Sequence, residues 1–563
     1  MDVEELLNYK PKASIDESTN KSAERTDDGK RAKKRKLDLN TSVDSADAPP
    51  PLDEAGLKRL VLQFERRLLK NQEFRIKFAD DPTKFMETEI ELFAAIEELH
   101  CISTQPELFH TLIELKVVSS LMGLLSHENS DISCAVVRFL HELTDLDDNS
   151  DYDKVAPLLN VLIQNQIIAQ LVANMGRLDE SSKEESEGVY NSLAIIENLL
   201  DFRPKLAEDC QSLITWLLGR IKAKIPFDGN KLYACEVLAI LLQSSEDNRK
   251  FLGSIGGIDV LLQQIAYIKR HDVSSSEEKE YLENLFDCLC SSLLLCSTNR
   301  KLFYEGEGIE LMNLILKERK KEASGVMRMG AIKVINHLLN EDKGKDSILE
   351  ECCNKFIEIY GLSSLFPIFL KPKIITAGEK KKETSFAIDD VEEHCCSIIL
   401  ALLKHSKPEA KKRVLSKFLE NNLEKTERLV ELHFKYAERL LKYDALIHKE
   451  KAIKAANDEE MDDEEIFLSR LTQGGLYVLQ LIDHIILTVC KHRDTEIATN
   501  SQDQPSSSSS TGSSIKSKIV KLLNIHASST VNHQRFIRNI MGEMAEEKDE
   551  SERERIFKLI EEF

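Results

Sequence analysis

A single sequence unit recurs through most of this 563-residue chain and restricts it to a narrow set of folds. In each copy a small or apolar residue is followed four positions later by leucine or methionine, and successive copies are 44 to 53 residues apart. Two copies also share the segment that precedes them, because Asn248 lies nine residues before Gly257 and Asn299 lies nine residues before Gly308. The anchors of the six copies are Leu121, Leu171, Leu217, Leu261, Met312 and Leu365. A repeat of this length indicates a stacked array of small structural units.

The hydrophobic period between the anchors is that of α-helices. From Leu57 onward apolar residues recur three, four and seven positions apart, and this spacing continues almost to the C-terminus. Glycine and proline, with 21 and 13 copies, are too sparse for a turn-rich β-sandwich or propeller. We therefore predict an all-α, armadillo/HEAT-like right-handed superhelical solenoid with helical N- and C-terminal caps.

Changes in composition divide the chain into six predicted parts. They are a disordered tail with a nuclear-import signal (1–56), a helical N-terminal cap (57–112), about six armadillo-like repeats (113–404), C-terminal helices with an acidic loop at 458–465 (405–494), a Ser-rich linker (495–514) and terminal helices (515–563). The tail is rich in charged residues, Ser, Thr and Asn and has almost no large apolar residues. Burial therefore cannot offset the entropy lost in ordering it.

A dense basic cluster lies within this tail. Six positive charges fall within seven residues, at Lys30, Arg31, Lys33, Lys34, Arg35 and Lys36. The chain as a whole is acidic, with 76 basic against 97 acidic groups, so the cluster stands alone. It predicts a nuclear-import signal that an importin would bind, and hence a nuclear protein. The alternative is a solvated run of charges that no partner protein recognises.

The charge and the longest apolar stretch limit the classes of partner. A net charge of −21 argues against direct binding of nucleic acid, which needs a basic surface.

The stretch Leu476–Cys490 is interrupted by Gln480, Asp483 and His484, so it is too polar to span a bilayer and no membrane partner is expected. It is nevertheless apolar around much of the helix, which leaves burial in a terminal cap or at a homodimer interface as the two interpretations. An acidic N-terminus and cysteines within apolar runs are typical of a chain with free thiols inside the cell.

The sequence shows no motif that indicates an enzyme, a cofactor or a metal site. Gly-x-Ser-x-Gly, the Walker loop and His-Glu-x-x-His are absent, and Gly306–Gly308 lacks the third glycine of a dinucleotide-binding loop. The pairs in His394–Cys396 and Cys352–Cys353 would each supply one metal ligand at most, because adjacent helical residues point about 100° apart. We therefore expect no enzymatic activity, no cofactor and no metal.

The face of such a solenoid that is lined by the last helix of each unit is the expected binding surface. Acidic side chains there suit basic peptide segments of partner proteins. The predicted acidic groove consists of Glu142, Asp145, Glu197, Asn198, Asp201, Glu236, Glu283 and Asp287. The sequence leaves open the alternative that these are ordinary solvated charges.

A nuclear-import adaptor of the importin-alpha type is a second functional hypothesis. Such adaptors bind basic peptides with asparagines on successive third helices and a tryptophan one turn away. The corresponding positions in this chain are Glu142, Asn198, Ile240, His337 and Leu402, of which only Asn198 matches. The position in the unit between Ile240 and His337, the fifth in the chain, is ambiguous within Cys288–Ser292. The single tryptophan, Trp216, falls at the start of a unit. The pattern therefore disfavours this mechanism.

Eight segments spread over nearly the whole chain occur in the order in which one known family has them. They are Met1–Pro11, Lys70–Phe78, Asp81–Glu87, Glu142–Asp145, Phe202–Pro204, Lys222–Asp228, Asn230–Tyr233 and Glu431–Tyr436. Together they resemble the beta-catenin-like family of armadillo-type nuclear proteins. The resemblance implies a non-enzymatic scaffold in pre-mRNA splicing, which associates with the spliceosome through the nineteen complex, and binds a Myb-domain splicing subunit and basic nuclear-localisation-type segments. It also assigns the family's import signal to Lys30–Lys36.

Overall fold

The computed structural model describes residues 52–145, 152–271, 273, 275–318, 324–340, 347–375, 384–456, 462–491, 515–525 and 532–563. Within these residues the secondary structure is helical throughout, without a β-strand, which confirms the all-α prediction. The basic cluster Lys30–Lys36 and the Ser-rich segment 495–514 lie outside the described residues.

Two antiparallel helices open the fold and are followed by six units of three helices. The opening helices are α1 (Glu54–Lys77) and α2 (Met86–Leu99), which pack on each other. Asp53 caps α1, because its carboxylate accepts a hydrogen bond of 2.7 Å from the Gly56 backbone N–H. The predicted boundary between residues 112 and 113 lies inside the next helix, Phe109–Glu114.

The bounds of the units follow one pattern of first, second and third helix. Units 1 and 2 are α3 (Phe109–Glu114), α4 (Val117–Leu124) and α5 (Ser130–Thr144), then α6 (Tyr152–Gln164), α7 (Ile167–Met175) and α8 (Lys183–Phe202). Units 3 and 4 are a 3-10 helix (Pro204–Asp209), α9 (Gln211–Lys222) and α10 (Gly229–Ser244), then α11 (Glu246–Ser254), α12 (Gly257–Arg270) and α13 (Ser276–Leu293). Units 5 and 6 are α14 (Ser297–Glu305), α15 (Gly308–Lys317) and α16 (Ser324–Leu338), then α17 (Ser347–Glu358), α18 (Leu362–Leu370) and α19 (Thr384–His405).

The recurring sequence unit marks the second helix of every unit. Its six leucine or methionine anchors are at most 1% exposed, so the repeat in sequence is a repeat of core positions. The residue before four of these helices has a left-handed backbone, with φ of 57° at Lys116 and Gln166, 78° at Gly256 and 58° at Glu307. This conformation turns the chain sharply from the first helix into the second.

The stacking of helices continues past residue 404, where the sequence repeat fades. The remaining helices are α20 (Pro408–Leu419), α21 (Glu424–Ala456), α22 (Asp463–Thr472), α23 (Leu476–Lys491), α24 (Ile515–Ile525), α25 (His533–Glu546) and α26 (Glu550–Glu562). Of these, α20 packs on α17, α21 on α18 and α23 on α19, as the three helices of a further unit would. The sequence repeat does not reveal this unit, because its second helix, α21, is 33 residues long and α22 lies between it and the third helix.

Two predictions about the C-terminal region have clear outcomes. The acidic loop is in part a helix, since Asp463 and the two glutamates that follow form the first turn of α22 and Asp462 caps it. Carboxylates are favourable there because they face the unpaired N–H groups of the helix start. The apolar helix α23 is buried within the chain among α19, α21, α22, α24, α25 and α26. It therefore belongs to the C-terminal cap and is not itself a homodimer surface.

Candidate peptide-binding face

The third helices form one continuous row. The helices α2, α5, α8, α10, α13, α16, α19 and α23 each pack on the next. Their burial patterns repeat, so that the buried Ala234 and Cys235 of α10 correspond to the buried Leu285 and Phe286 of α13. This repetition shows which side chains occupy equivalent positions on successive helices. We call the exposed surface of this row of helices the third-helix face.

Two of the predicted acidic residues occupy the same position on neighbouring helices. Glu236 on α10 and Asp287 on α13 are both partly exposed and equivalent by burial pattern. The equivalent residue on α16 is Lys333, whose Nζ lies 3.9 Å from Asp287 Oδ1. Burial raises the pKa of Asp287, and Lys333 opposes that shift. The acidic surface therefore continues from α10 to α13 and ends against a lysine.

Glu197 on α8 is tied to α10 by a tyrosine that the sequence analysis did not select. The hydroxyl of Tyr233 donates a hydrogen bond of 2.5 Å to Glu197 Oε2. The ring of Tyr233 lies 5.1 Å from that of Tyr190, centroid to centroid. Burial and the nearby Glu197 and Glu236 carboxylates raise the pKa of Tyr190. Two carboxylates and two aromatic rings thus share one patch, which offers charge and stacking to a cationic side chain.

The remaining predicted residues are more dispersed. Glu142 on α5 is already engaged, since its Oε2 lies 2.8 Å from His100 Nδ1 on α2. Asn198 is equivalent to Glu142 and donates a hydrogen bond of 3.4 Å to Thr144 Oγ1. Glu283 is exposed on α13, and Asp145 and Asp201 are exposed at the C-terminal ends of α5 and α8. The structure therefore places all eight on or beside the third-helix face, with Glu197, Glu236 and Asp287 as its centre.

The positions compared with the importin ladder need one correction. Leu402 is fully buried, so it does not reach the third-helix face, and the equivalent of His337 on α19 is Ala401. The fifth position, which the sequence left ambiguous, is Ser291 by the same burial pattern. Within the described third helices of the six units, Asn198 remains the one asparagine at this position.

The face changes character at α16. His337 and His394 are largely buried; burial and the Lys333 ammonium lower the pKa of His337 to about 4, and burial together with His337 lowers that of His394 to about 3. The Nδ2 of Asn336 lies 3.1 Å from Nδ1 of His394. These side chains are neutral at pH 7, so the acidic character is concentrated on α8, α10 and α13.

Within the described residues no three His, Cys, Asp or Glu side chains gather as a metal site would require. The thiols of Cys353 and Cys396 are buried, and that burial raises their pKa. No single described helix is long and apolar enough to cross a membrane, although the bent pairs α6–α7, α11–α12 and α22–α23 meet the criteria of length and composition.

Comparisons of the sequence with a family profile and with curated relatives agree with this architecture. A family profile described as catenin-beta-like, Arm-motif containing nuclear, matches residues 34–521. Human beta-catenin-like protein 1 is 44% identical over 529 residues, which cover 91% of this chain and 87% of the human protein. The Schizosaccharomyces pombe homologue is 32% identical over 467 residues, covering 82% and 77%. A solved structure from work on the cadherin–beta-catenin interaction covers 88% of this chain and 98% of its own, at 14% identity and a TM-score of 0.41.

Proposed function

The chain belongs to the catenin-beta-like family of armadillo-motif nuclear proteins, and from this premise we propose that it is a non-enzymatic scaffold in pre-mRNA splicing. In this proposal it resides in the nucleus and binds basic, nuclear-localisation-type segments of spliceosomal proteins along the third-helix face. A Myb-domain subunit of the nineteen complex is the proposed principal partner. An importin that binds Lys30–Lys36 would deliver the protein to the nucleus.

One observation carries the peptide-binding part of the proposal. Carboxylates lie at the centre of the third-helix face on three successive helices, at Glu197, Glu236 and Asp287, and the tyrosines Tyr190 and Tyr233 lie among them. A basic segment laid across these helices would meet a negative charge on each. Complementary charge of this kind favours fast and selective association.

The test is the affinity of the full-length protein for a short fluorescent peptide that carries one Lys/Arg cluster. The double variant Glu236→Lys and Glu283→Lys places two cations on the face and is expected to weaken binding about tenfold or more. A matched control, Glu305→Lys with Glu409→Lys, changes the same charge on exposed acids outside the third helices. Equal affinities of both double variants would refute the proposed face.

Salt provides an independent measurement of the same contact. Exposed charges are screened within about 8 Å at physiological ionic strength, so affinity for the basic peptide should fall as salt is raised. Binding that does not change with salt would refute a mainly electrostatic contact.

The role in splicing needs a separate experiment. Affinity capture from nuclear extract with the wild-type chain is expected to recover spliceosomal subunits, and the double variant Glu236→Lys and Glu283→Lys should recover less of them. If the wild type and the double variant capture the same subunits in equal amounts, those subunits bind outside the third-helix face, for example at α1 or at the C-terminal helices.

The import-adaptor hypothesis is the weaker alternative. An adaptor of the importin-alpha type would need asparagines at equivalent positions of successive third helices. The six positions hold Glu142, Asn198, Ile240, Ser291, His337 and Ala401. Transport of a reporter cargo in permeabilised cells would distinguish the two, because a scaffold is expected to leave transport unchanged.

A further inference from the structure

A cavity of about 410 Å³ opens on the third-helix face next to the acidic centre. It is lined by the N-terminal halves of α2, α5 and α8. Its floor is narrow, because a Cβ atom on Gly188 of α8 would lie 2.6 Å from Cys134 Sγ of α5. None of the eight predicted groove residues lines it.

The floor of the cavity holds a polar side chain without a partner. Asn191 is 8% exposed and lines the cavity. Its side-chain amide has no hydrogen-bond partner among the described residues, whereas the amide of Asn198 two turns later reaches Thr144. An amide that makes no hydrogen bond within the protein is available to a ligand in the cavity, which would take the place of water as its partner.

One wall of the cavity is apolar and accessible. Ile90 and Met86 on α2 are 62% and 59% exposed, although both side chains are large and hydrophobic. Phe93 continues this wall, and the buried Ile132 and Ala135 of α5 face it. An aliphatic chain would find apolar contact along this wall.

The rim of the cavity is acidic. Asp131, Glu184 and Glu187 are exposed there, and none of them lies within ion-pair distance of a described cation. The other charges of the lining are already paired, Glu89 with Arg75 and Arg138 with Glu97. The lining is therefore negative on balance, because four carboxylates surround the single guanidinium of Arg138.

We propose that this cavity binds one lysine or arginine side chain of the basic partner segment. Such a side chain has an aliphatic stem and a cationic head, and it is the one occupant that matches both the apolar wall and the acidic rim. The stem lies along Ile90 and Phe93, and the head donates a hydrogen bond to Asn191 Oδ1 and faces Glu187. This inference rests on the proposed function and locates one anchor position within it.

The test is a double-mutant cycle between the full-length protein and the fluorescent basic peptide. Asn191→Ala removes the unpartnered amide and is expected to weaken binding about tenfold, as loss of a hydrogen bond to a charged group does. Asn165→Ala, at an exposed asparagine between α6 and α7 and outside the third helices, is the control and should change binding less than about twofold. Each basic residue of the peptide is then replaced in turn by norleucine. The effect of Asn191→Ala should disappear for one peptide position and persist for the others.

A footprinting measurement does not depend on the Asn191 variant. Cys134 lies in the cavity lining and Cys101 is exposed outside it, so both are present as native probes. Bound peptide should slow alkylation of Cys134 severalfold and leave the rate at Cys101 unchanged. Replacement of lysine by arginine at the anchor position of the peptide shows which head group is preferred.

The outcomes separate this inference from the proposed function. Wild-type protein that binds no basic peptide overturns both. Wild-type protein that binds, with Asn191→Ala and Ile90→Ser at wild-type affinity and Cys134 unprotected, overturns the anchor cavity alone. Coupling of Asn191 to one peptide position together with protection of Cys134 supports it.

Discussion

Where a second helix begins with glycine, as α15 does at Gly308, the glycine is a steric requirement. A Cβ atom on Gly308 would lie 2.6 Å from the ring of Phe303, a fully buried side chain of the preceding helix. Gly308→Ala is therefore expected to destabilise the fold by about 1–3 kcal/mol, since the packed ring must move. Gly123→Ala is the control, because no atom lies within 4 Å of that Cβ position and alanine favours α4. Thermal unfolding followed by circular dichroism should show a lower Tm for the first variant and an unchanged or higher one for the second.

His484 makes the folded chain sensitive to acid. Burial and the Lys404 ammonium lower the pKa of His484 from 6.5 to about 3, and its Nδ1 atom has no hydrogen-bond partner among the residues that the structure describes. Between these two pH values the unfolded chain binds a proton that the folded chain does not. Stability contributed by this residue is therefore present above pH 6.5 and is lost as the pH falls, by at most about 1.4 kcal/mol per pH unit. The variant His484→Gln should lose less stability than the wild type between pH 7 and pH 5 in urea titrations, and parallel pH profiles would contradict this.

At the scale of helices, α19 and α21 are joined by a network centred on one carboxylate. The side chain of Glu392 is 4% exposed and receives Arg428 at 2.6 Å, Lys435 at 2.6 Å and the Tyr436 hydroxyl at 3.0 Å. Glu392→Gln is expected to destabilise the chain by about 2 kcal/mol, because two cations lose their buried partner. Glu431→Gln is the matched control: Glu431 contacts the same guanidinium at 2.8 Å, but its side chain is 68% exposed.

The two variants should differ in unfolding midpoint by several degrees. An exposed ion pair contributes about 0–1 kcal/mol, so Glu431→Gln should be close to the wild type. Equal destabilisation by both substitutions would show that the network acts through Arg428 alone rather than through the buried carboxylate.

The elements also show where sequence reasoning succeeds and where it does not. The second helices could be predicted because each contributes a buried leucine or methionine at the same place, and the repeated burial imposes a repeated sequence. The acidic run 458–465 is predicted as a loop, but its last three residues form the first turn of α22. Charge alone does not distinguish a loop from the first turn of a helix, where carboxylates are favourable.

Across the whole molecule, the binding face is less predictable than the fold. Asn191 and Asn198 are both asparagines on α8 and cannot be ranked from the sequence. Their difference arises from α5, because Thr144 accepts a hydrogen bond from Asn198, whereas Asn191 lines the cavity beside Cys134 and has no partner in the described part of the chain. Glu142 likewise looks available until α2 brings His100 to it. Which polar group is free depends on contacts between units, and a single sequence does not specify those contacts.

The three C-terminal helices cover the end of the solenoid. Helices α24, α25 and α26 pack on α23, and α24 also packs on α21. They bury an apolar surface that includes Ile519, Ile537 and Met541. A protease site introduced between residues 500 and 510 and cut in the folded protein should therefore leave two fragments that co-elute in gel filtration, because the apolar contacts do not depend on the connection.

Removal of residues 515–563 before folding should have the opposite result. The residues of α23 that α25 covers would face water, and an exposed apolar patch at the end of a solenoid promotes association. The truncated chain is expected to bind a hydrophobic dye, to show a lower Tm and to give larger particles in light scattering as its concentration rises. Ile540→Asp on α25, which is 3% exposed, should reproduce part of this effect, whereas Phe557→Asp, at a position 39% exposed on α26, should not. Two results would contradict this: cut fragments that separate in gel filtration, or a truncated chain that is monomeric and keeps the wild-type Tm. Either would show that α23 is stable without its cover and that the solenoid ends one layer earlier.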